Sequence, residues 1–360
     1  MAKINLKRFV DINIKQHVVA STVGTRDTVV LFTAEGTNGT TNLIESIVDA
    51  NAKYNDKPNA LAYLKVFFEN SGVKVLVVEG VGIDNLTADT IKELDNSYIC
   101  IAYASGSTAV EANYAKIKQL ATTRAADSTV YGINEKILLA ATATDDTASV
   151  KNFAVKYSSV QGAEMTIAAY LTKINVYGVD TVYDYAFTQE VLTAEDLTDT
   201  KFATVMTNNM NVDINLANSI RNCGGNCKDG ADIVNTYVRI ILHQTLTDVL
   251  IQLLAQKIKN TTGVSKIYAV IAQELERYLT SGYLTTDKVW TDKDLTVNYN
   301  GASYTIIEQG TALTNGYVIQ VLPFTSLTDA DKAAHKAPPV YVVIADQYGI
   351  RQITVNGEVI

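Results

Sequence analysis

Three stretches of the sequence carry residue types that do chemistry in other proteins. EGTNGTT, residues 35–41, follows an apolar run and precedes a helical pattern, the position of a phosphate loop. Such a loop needs a lysine before its Ser/Thr to reach the terminal phosphates, and Gly39 stands there instead. EGVGID, residues 79–84, offers Gly80 and Gly82, but Asn85 occupies the third glycine position of a dinucleotide fingerprint. Cys223 and Cys227 in NCGGNC form the sharpest metal candidate. Zinc wants four ligands in two close pairs, whereas the third cysteine, Cys100, is remote and the chain's three histidines are His17, His243 and His335. The spacing reads as a surface loop with two thiols. Asp145 and Asp146 precede a helical stretch, where capping explains them, and His243 falls mid-helix as a core or interface histidine. No nucleophile elbow is present. The expectation is a protein with no catalytic, cofactor-binding or metal-binding residues, hence not an enzyme. The alternative is an α/β nucleotide-binding enzyme using one of the two glycine loops.

The elements that would position such residues alternate. TVVLF, VKVLVV, YICIAYA and KILLAATA are β-branched or small apolar runs separated by helical patterns, which implies βαβ units and a mostly parallel sheet covered on both faces. Residues 42–71 carry helical spacing around Ile44, Ile47, Val48, Leu61, Leu64 and Phe68, broken at Pro58. An Ala-rich helix is expected over 145–174, a strand-like piece at TVYDYAFTQEV, and a helix start at Thr193 with Glu195 and Asp196. A strand at MNVDINLA, two long helices at 231–260 and 265–281, and a final run of strands and turns complete the chain.

Charge and length limit the rest. With 38 acidic and 30 basic residues the net charge is −8, which disfavours nucleic-acid binding. At 360 residues two domains are expected. The N-terminus lacks an apolar signal core, the cysteines suggest a reducing compartment, and Arg239, His243 and Asp248 argue that the apolar run 233–258 is a buried helix rather than a membrane span. Both ends show period-two alternation. Val10, Ile12 and Ile14 alternate with polar residues near the start, and Ile353, Val355 and Val359 do so in IRQITVNGEVI at the end. Asn356-Gly357 is a hairpin signal with too little chain after it to return as a strand.

The last third resembles the C-terminal region of contractile tail sheath proteins of bacteriophages, in their compact branch. The resemblance rests on Gly282 and Trp290, the strand at Tyr317, Asp329-Ala-Asp331-Lys332 with Lys336-Ala-Pro338-Pro339, and the closing alternating strand. DYAFTQEVLTAEDLTDTKFATVMTNNMNVDINLA resembles an upstream block of the same family. This implies a parallel-rich α/β domain plus a second α+β domain, with extended β arms at both ends. The expected division is an N-terminal arm over 1–22, an outer α/β domain over 23–205, an inner tube-facing α+β domain over 206–345, and a C-terminal strand arm over 346–360.

The resemblance further implies a structural subunit that polymerises in six-fold rings around a tail tube, exchanging strands with neighbouring copies, and contracts to drive the tube through a host envelope. Val10, Ile12, Ile14, Val343, Ile353, Val355 and Val359 are the expected subunit-interface residues, and Lys257, Lys259 and Lys266 are expected to face the tube. Partners would be further copies of the chain, the tube protein, and baseplate and terminator proteins, without nucleic-acid contact or membrane insertion. The location would be the virion tail after assembly in the host cytoplasm, or a bacteriocin-type injection machine.

Overall fold

The computed structural model describes residues 29–92, 94, 98–126, 136–216, 218–256 and 260–347. The elements are β1 (Val29–Thr33), β2 (Thr41–Ile44), α1 (Ile47–Tyr54), α2 (Pro58–Glu69), β3 (Val75–Val78), α3 (Ala88–Lys92), β4 (Cys100–Ala104), α4 (Val110–Ala126), β5 (Ile137–Thr142), β6 (Phe153–Tyr157), α5 (Met165–Leu171), α6 (Asp199–Thr207), β7 (Asn211–Leu216), β8 (Ser219–Cys223), α7 (Ile233–Ala255), α8 (Asn260–Thr280), β9 (Leu295–Tyr299), β10 (Ala302–Ile307), β11 (Tyr317–Val321), α9 (Asp329–Ala333) and β12 (Val340–Ile344). The chain divides into two compact units, one holding Thr25–Ile174 and Tyr183–Tyr237, the other Asn175–Val182 and Val238–Gln347.

The first unit is built on an eight-stranded sheet in the order β2-β3-β1-β4-β5-β6-β7-β8. Its inner pairs are parallel, and the outermost pairs, β2 with β3 and β7 with β8, are antiparallel. Strands β1, β4, β5 and β6 are buried at every residue, as expected of parallel strands covered on both faces. On one face Val30, Phe32, Ile101, Tyr103, Leu138, Phe153, Val155, Tyr157 and Val212 form a continuous core with Tyr114 and Ile117 of α4. The α/β class expected from alternation is therefore present.

Several local expectations change. Ile44 lies in β2 rather than in a helix, because Thr41–Ile44 pairs antiparallel with Val75–Val78. Ser46 then caps α1, accepting from the Asp49 N–H at 3.1 Å, and Pro58 opens α2, where its missing N–H costs nothing. The Ala-rich stretch expected as one helix over 145–174 is β6 followed by the short α5. Burial of β6 on both faces erases the alternation that marks a strand. The start expected at Thr193 falls later: α6 begins at Asp199, and the Thr198 hydroxyl accepts from the Lys201 N–H. TVYDYAFTQEV forms no regular strand. Phe187 has φ 61, yet the segment still pairs with β8 through the Gln189–Arg221 bridge.

Residues 206–237, grouped by sequence with the second domain, supply β7 and β8 of the sheet, and the division between the units falls after Tyr237. The second unit contains α8, the β9–β10 hairpin and the antiparallel β11–β12 pair. Buried Ile267, Ile271, Leu275 and Tyr278 recur at helical spacing along α8, which packs against β11. Gly282, at φ 78, ends that helix in the left-handed conformation that glycine adopts freely. Thr328 caps α9, so Asp329 and Asp331 lie in its first turn. Helix α7 is long and apolar enough to cross a membrane by length and composition, and half of that stretch is buried inside the protein.

Candidate subunit interface and buried charge cluster

The glycine loops are filled by the protein's own carboxylates. Glu35 receives the N–H groups of Asn59 and Ala60 at 3.2 and 2.8 Å, capping α2. Glu79, 3% exposed, accepts from the Thr37 N–H, the Asn42 amide and Lys57 at 3.1, 3.0 and 3.3 Å. Burial opposes its charge, but hydrogen bonds from Tyr54, Thr37 and Lys57 outweigh that, so the carboxyl titrates below its usual range. A Cβ on Gly36 would lie 2.0 Å from Glu79 Oε2, and one on Gly80 would lie 2.3 Å from the Asn38 Cα. The glycines allow close backbone approach to these groups, and a negative charge already sits where an anion would bind.

The thiol loop is not a surface loop. Cys223 and Cys227 are 4% and 0% exposed and are not joined in a disulfide. The Asn211 side chain organises the turn: its oxygen accepts from the Gly225 and Asn226 N–H groups at 2.6 and 3.2 Å, and its amide donates to Val155 and Asn226 carbonyls at 3.0 Å. Among the described residues, no group of three or more His, Cys, Asp or Glu side chains gathers as metal ligands would. Asp145 and Asp146 do not cap a helix. Asp145 pairs with Lys201 at 2.7 Å. Asp146 is buried and receives Lys118 at 2.7 Å, the Ala148 N–H at 2.9 Å and the Tyr114 hydroxyl. Burial opposes ionisation of Asp146, and those donors more than compensate, lowering its pKa.

A charge cluster that sequence reasoning missed lies under the β6–β8 end of the sheet, on the face opposite the Val30–Val212 core. Lys156, fully buried, donates to Glu190 at 2.7 Å, Asp213 at 2.8 Å, Tyr185 at 3.1 Å and Asn222 at 3.2 Å. Tyr185 also donates to Glu190 and lies 3.1 Å from the Thr166 hydroxyl of α5. Asp213 and Asn222 are direct cross-strand partners, which puts their side chains on one face. Tyr185 and Glu190 are brought in by the segment paired with β8, where the Phe187 N–H donates to the Asn222 carbonyl at 2.7 Å. Burial raises Asp213 to about 7, beyond what Lys156 restores, and burial raises Tyr185 further. The only advance signal was a lone lysine in the apolar run NFAVKY.

In the second unit, β11 and β12 form a two-stranded sheet among the described residues. Ala345 donates to Gly316 at 2.8 Å and Leu322 to Pro339 at 3.0 Å. Antiparallel alternation therefore places the bonded pairs at Val318/Val343 and Gln320/Tyr341. The backbone groups of Val340, Val342 and Ile344 on β12, and of Tyr317, Ile319 and Val321 on β11, point to the outer edges. There they have no strand partner among the described residues. Helix α8 packs on β11 from one side, and Trp290, Leu295, Ile307 and Leu313 pack against Val318 and Val343 on the other. The Tyr317 hydroxyl donates to Glu276 at 2.7 Å, pinning β11 to α8. Of the residues expected at interfaces, Val343 faces this internal cluster and is half-buried, its N–H turned to β11. Val10, Ile12, Ile14, Ile353, Val355 and Val359 lie outside the described residues, as do Lys257 and Lys259. Lys266 is exposed on α8.

The fold aligns over nearly the whole chain with chains of contractile sheath and baseplate assemblies. A chain of the anti-feeding prophage baseplate aligns with TM-score 0.66 at 17% identity, covering 97% of this chain and 98% of that one. A chain of the contracted anti-feeding prophage helical sheath aligns with TM-score 0.65 at 16% identity, covering 97% and 99%. The sheath tail protein Lin1278 of Listeria innocua aligns with TM-score 0.51 at 12% identity, covering 91% and 96%. No family model matches the sequence, and no curated protein matches it.

Proposed function

We propose that the protein is the sheath subunit of a contractile tail or related injection machine, which polymerises around a tube by strand exchange and has no catalytic role. The observation that carries this reading is the β11–β12 pair: among the described residues neither outer edge has a strand partner for its backbone donors and acceptors, and alternating segments occur near each end of the sequence. A two-stranded sheet is marginal alone and gains from added strands. The likeness to chains of a helical sheath and a baseplate over 97% of the length supports the same reading. In this reading the arms of neighbouring copies complete the sheet, the tube docks on the side bearing Lys257, Lys259 and Lys266, and rings of six subunits contract from baseplate to terminator while the strand pairing holds. A lattice that buries more surface in its contracted form drives the motion without a nucleotide.

Negative-stain microscopy of the purified chain tests the proposal. Tubes or rings are expected from the full chain, and folded, non-polymerising protein from variants lacking residues 1–18 or 348–360, which keep Asp346 and Gln347 on Lys288 and Tyr283. Truncated chains that polymerise as well as the full one would overturn strand exchange. Replacing the three lysines by glutamine should weaken co-assembly with a tube protein and leave self-assembly unchanged.

A further inference from the structure

We infer that the buried cluster is a cross-linking site, in which the Lys156 amine and the Asn222 side-chain amide condense into an intramolecular isopeptide bond. Three observations meet there. The nucleophile and the electrophile are adjacent: Lys156 Nζ lies 3.2 Å from Asn222 Oδ1. The site is dry, with Lys156, Tyr185 and Asn222 at 0%, Asp213 at 1% and Glu190 at 6% exposure. It also holds acid–base groups in excess of what a single lysine needs, since Lys156 contacts two carboxylates. One ion pair satisfies a buried lysine, whereas a second buried carboxylate is a cost without an obvious structural return. Asp213 Oδ2 is a buried oxygen with no hydrogen-bond partner, and its residue stands directly across the strand pair from Asn222.

Burial disfavours the lysine ammonium, the two carboxylates outweigh that, and the resting amine is protonated. The reactive form arises when the ammonium proton crosses to Asp213, which burial already biases towards its neutral acid. The free amine attacks Asn222 Cγ, and neutral Asp213 donates a hydrogen bond to the developing oxyanion. The Nζ–Cγ bond forms, the Cγ–Nδ2 bond breaks, and Nδ2 departs with the transferred protons as ammonia. The carbonyl is restored, nothing is oxidised or reduced, and the net change is the loss of one ammonia. Glu190 remains as the single buried anion, held by the Tyr185 hydroxyl. The bond would tie β6 to β8 across a separation of 66 residues, restricting the unfolded chain as a disulfide does, in a unit whose described cysteines form no disulfide.

Mass spectrometry of the full-length protein decides the matter. The expected result is an intact mass one ammonia below that of the sequence, with one proteolytic product joining the Lys156 and Asn222 peptides. Lys156→Arg and Asn222→Ala should each run at their own sequence mass, and Asp213→Ala should leave Lys156 and Asn222 unlinked. An unshifted wild-type mass with the two peptides separate would overturn the inference and leave an ion-pair cluster. Loss of one water with a Lys156–Asp213 linkage would overturn the assignment of Asn222. The wild-type measurement needs no variant, so a substitution that prevents folding does not compromise it.

Discussion

A proline at Val342 separates the fold of the β11–β12 pair from its capacity to accept another strand. The Val342 N–H points away from β11, because the bonded pairs are Val318/Val343 and Gln320/Tyr341. Proline is tolerated on an edge strand when its N–H side faces outward, so Val342→Pro should leave the melting temperature nearly unchanged. It removes the central outward donor, and its ring blocks the approach of an added strand. At roughly 0.5–1.5 kcal/mol net per strand hydrogen bond, losing the central bond and its flanking neighbours costs about 2–4 kcal/mol per docked strand. That is roughly a 30- to 1,000-fold weakening at each interface. Val343→Pro is the internal control: it deletes an inward donor and displaces a side chain packed with Trp290 and Val318, so it should destabilise the monomer by ~3 kcal/mol. The assay is thermal melting monitored by circular dichroism, paired with sedimentation and microscopy of polymers. Val342→Pro protein that assembles like wild type would refute the open-edge argument. Equal thermal damage from both prolines would refute the register on which it depends.

Other perturbations follow from the sheet unit. Relative to protein with Lys156 unlinked, Lys156→Met should cost about 3–5 kcal/mol by stranding Glu190 and Asp213 in the interior, measurable as a lowered denaturant midpoint. Glu35→Ala removes the acceptor for two N–H groups at the start of α2 and should cost about 1–2 kcal/mol, read as a drop in melting temperature. Gly80→Ala places a Cβ against the Asn38 backbone at φ 71 and should cost about 2 kcal/mol or more in the same measurement. Glu164 is buried with one oxygen unpartnered, and burial raises its pKa from 4.5 to about 7. Its neutral form is favoured in the folded state, so its contribution is complete below the unfolded pKa and fades as pH rises through about 7. Glu164→Gln should therefore stabilise the protein by up to roughly 3 kcal/mol at about pH 8.5 relative to wild type, with the gain vanishing near about pH 4.5.

Legibility in the sequence varied with how each element is buried. Strands β1, β3, β4 and β5 stood out because each is a short apolar run between helical patterns, and β7 and α8 because their own periodicity is strong. Strand β6 did not, since a strand buried on both faces shows neither alternation nor helical spacing. The thiol loop was misplaced to the surface for a related reason. Its polar composition reads as solvent-facing, whereas inside the protein its backbone is satisfied by the Asn211 amide, fifteen residues from Asn226, and by bonds such as Lys228 N–H to the Phe153 carbonyl. At EGTNGTT the absence of a lysine was readable, but the filling of the loop by Glu79 was not, as that contact crosses 42 residues.

By itself the sequence determined the α/β alternation, the paired amphipathic and apolar helices, and the period-two segments near both ends, because each depends on neighbours a few residues apart. The tertiary structure alone decided that β7 and β8 extend the sheet, that Lys156, Glu190, Asp213 and Asn222 converge, and that β11 and β12 pair only with each other among the described residues. Convergence of charge and the pairing of strands are both set by which segments become neighbours in space. Local pattern carries no record of that.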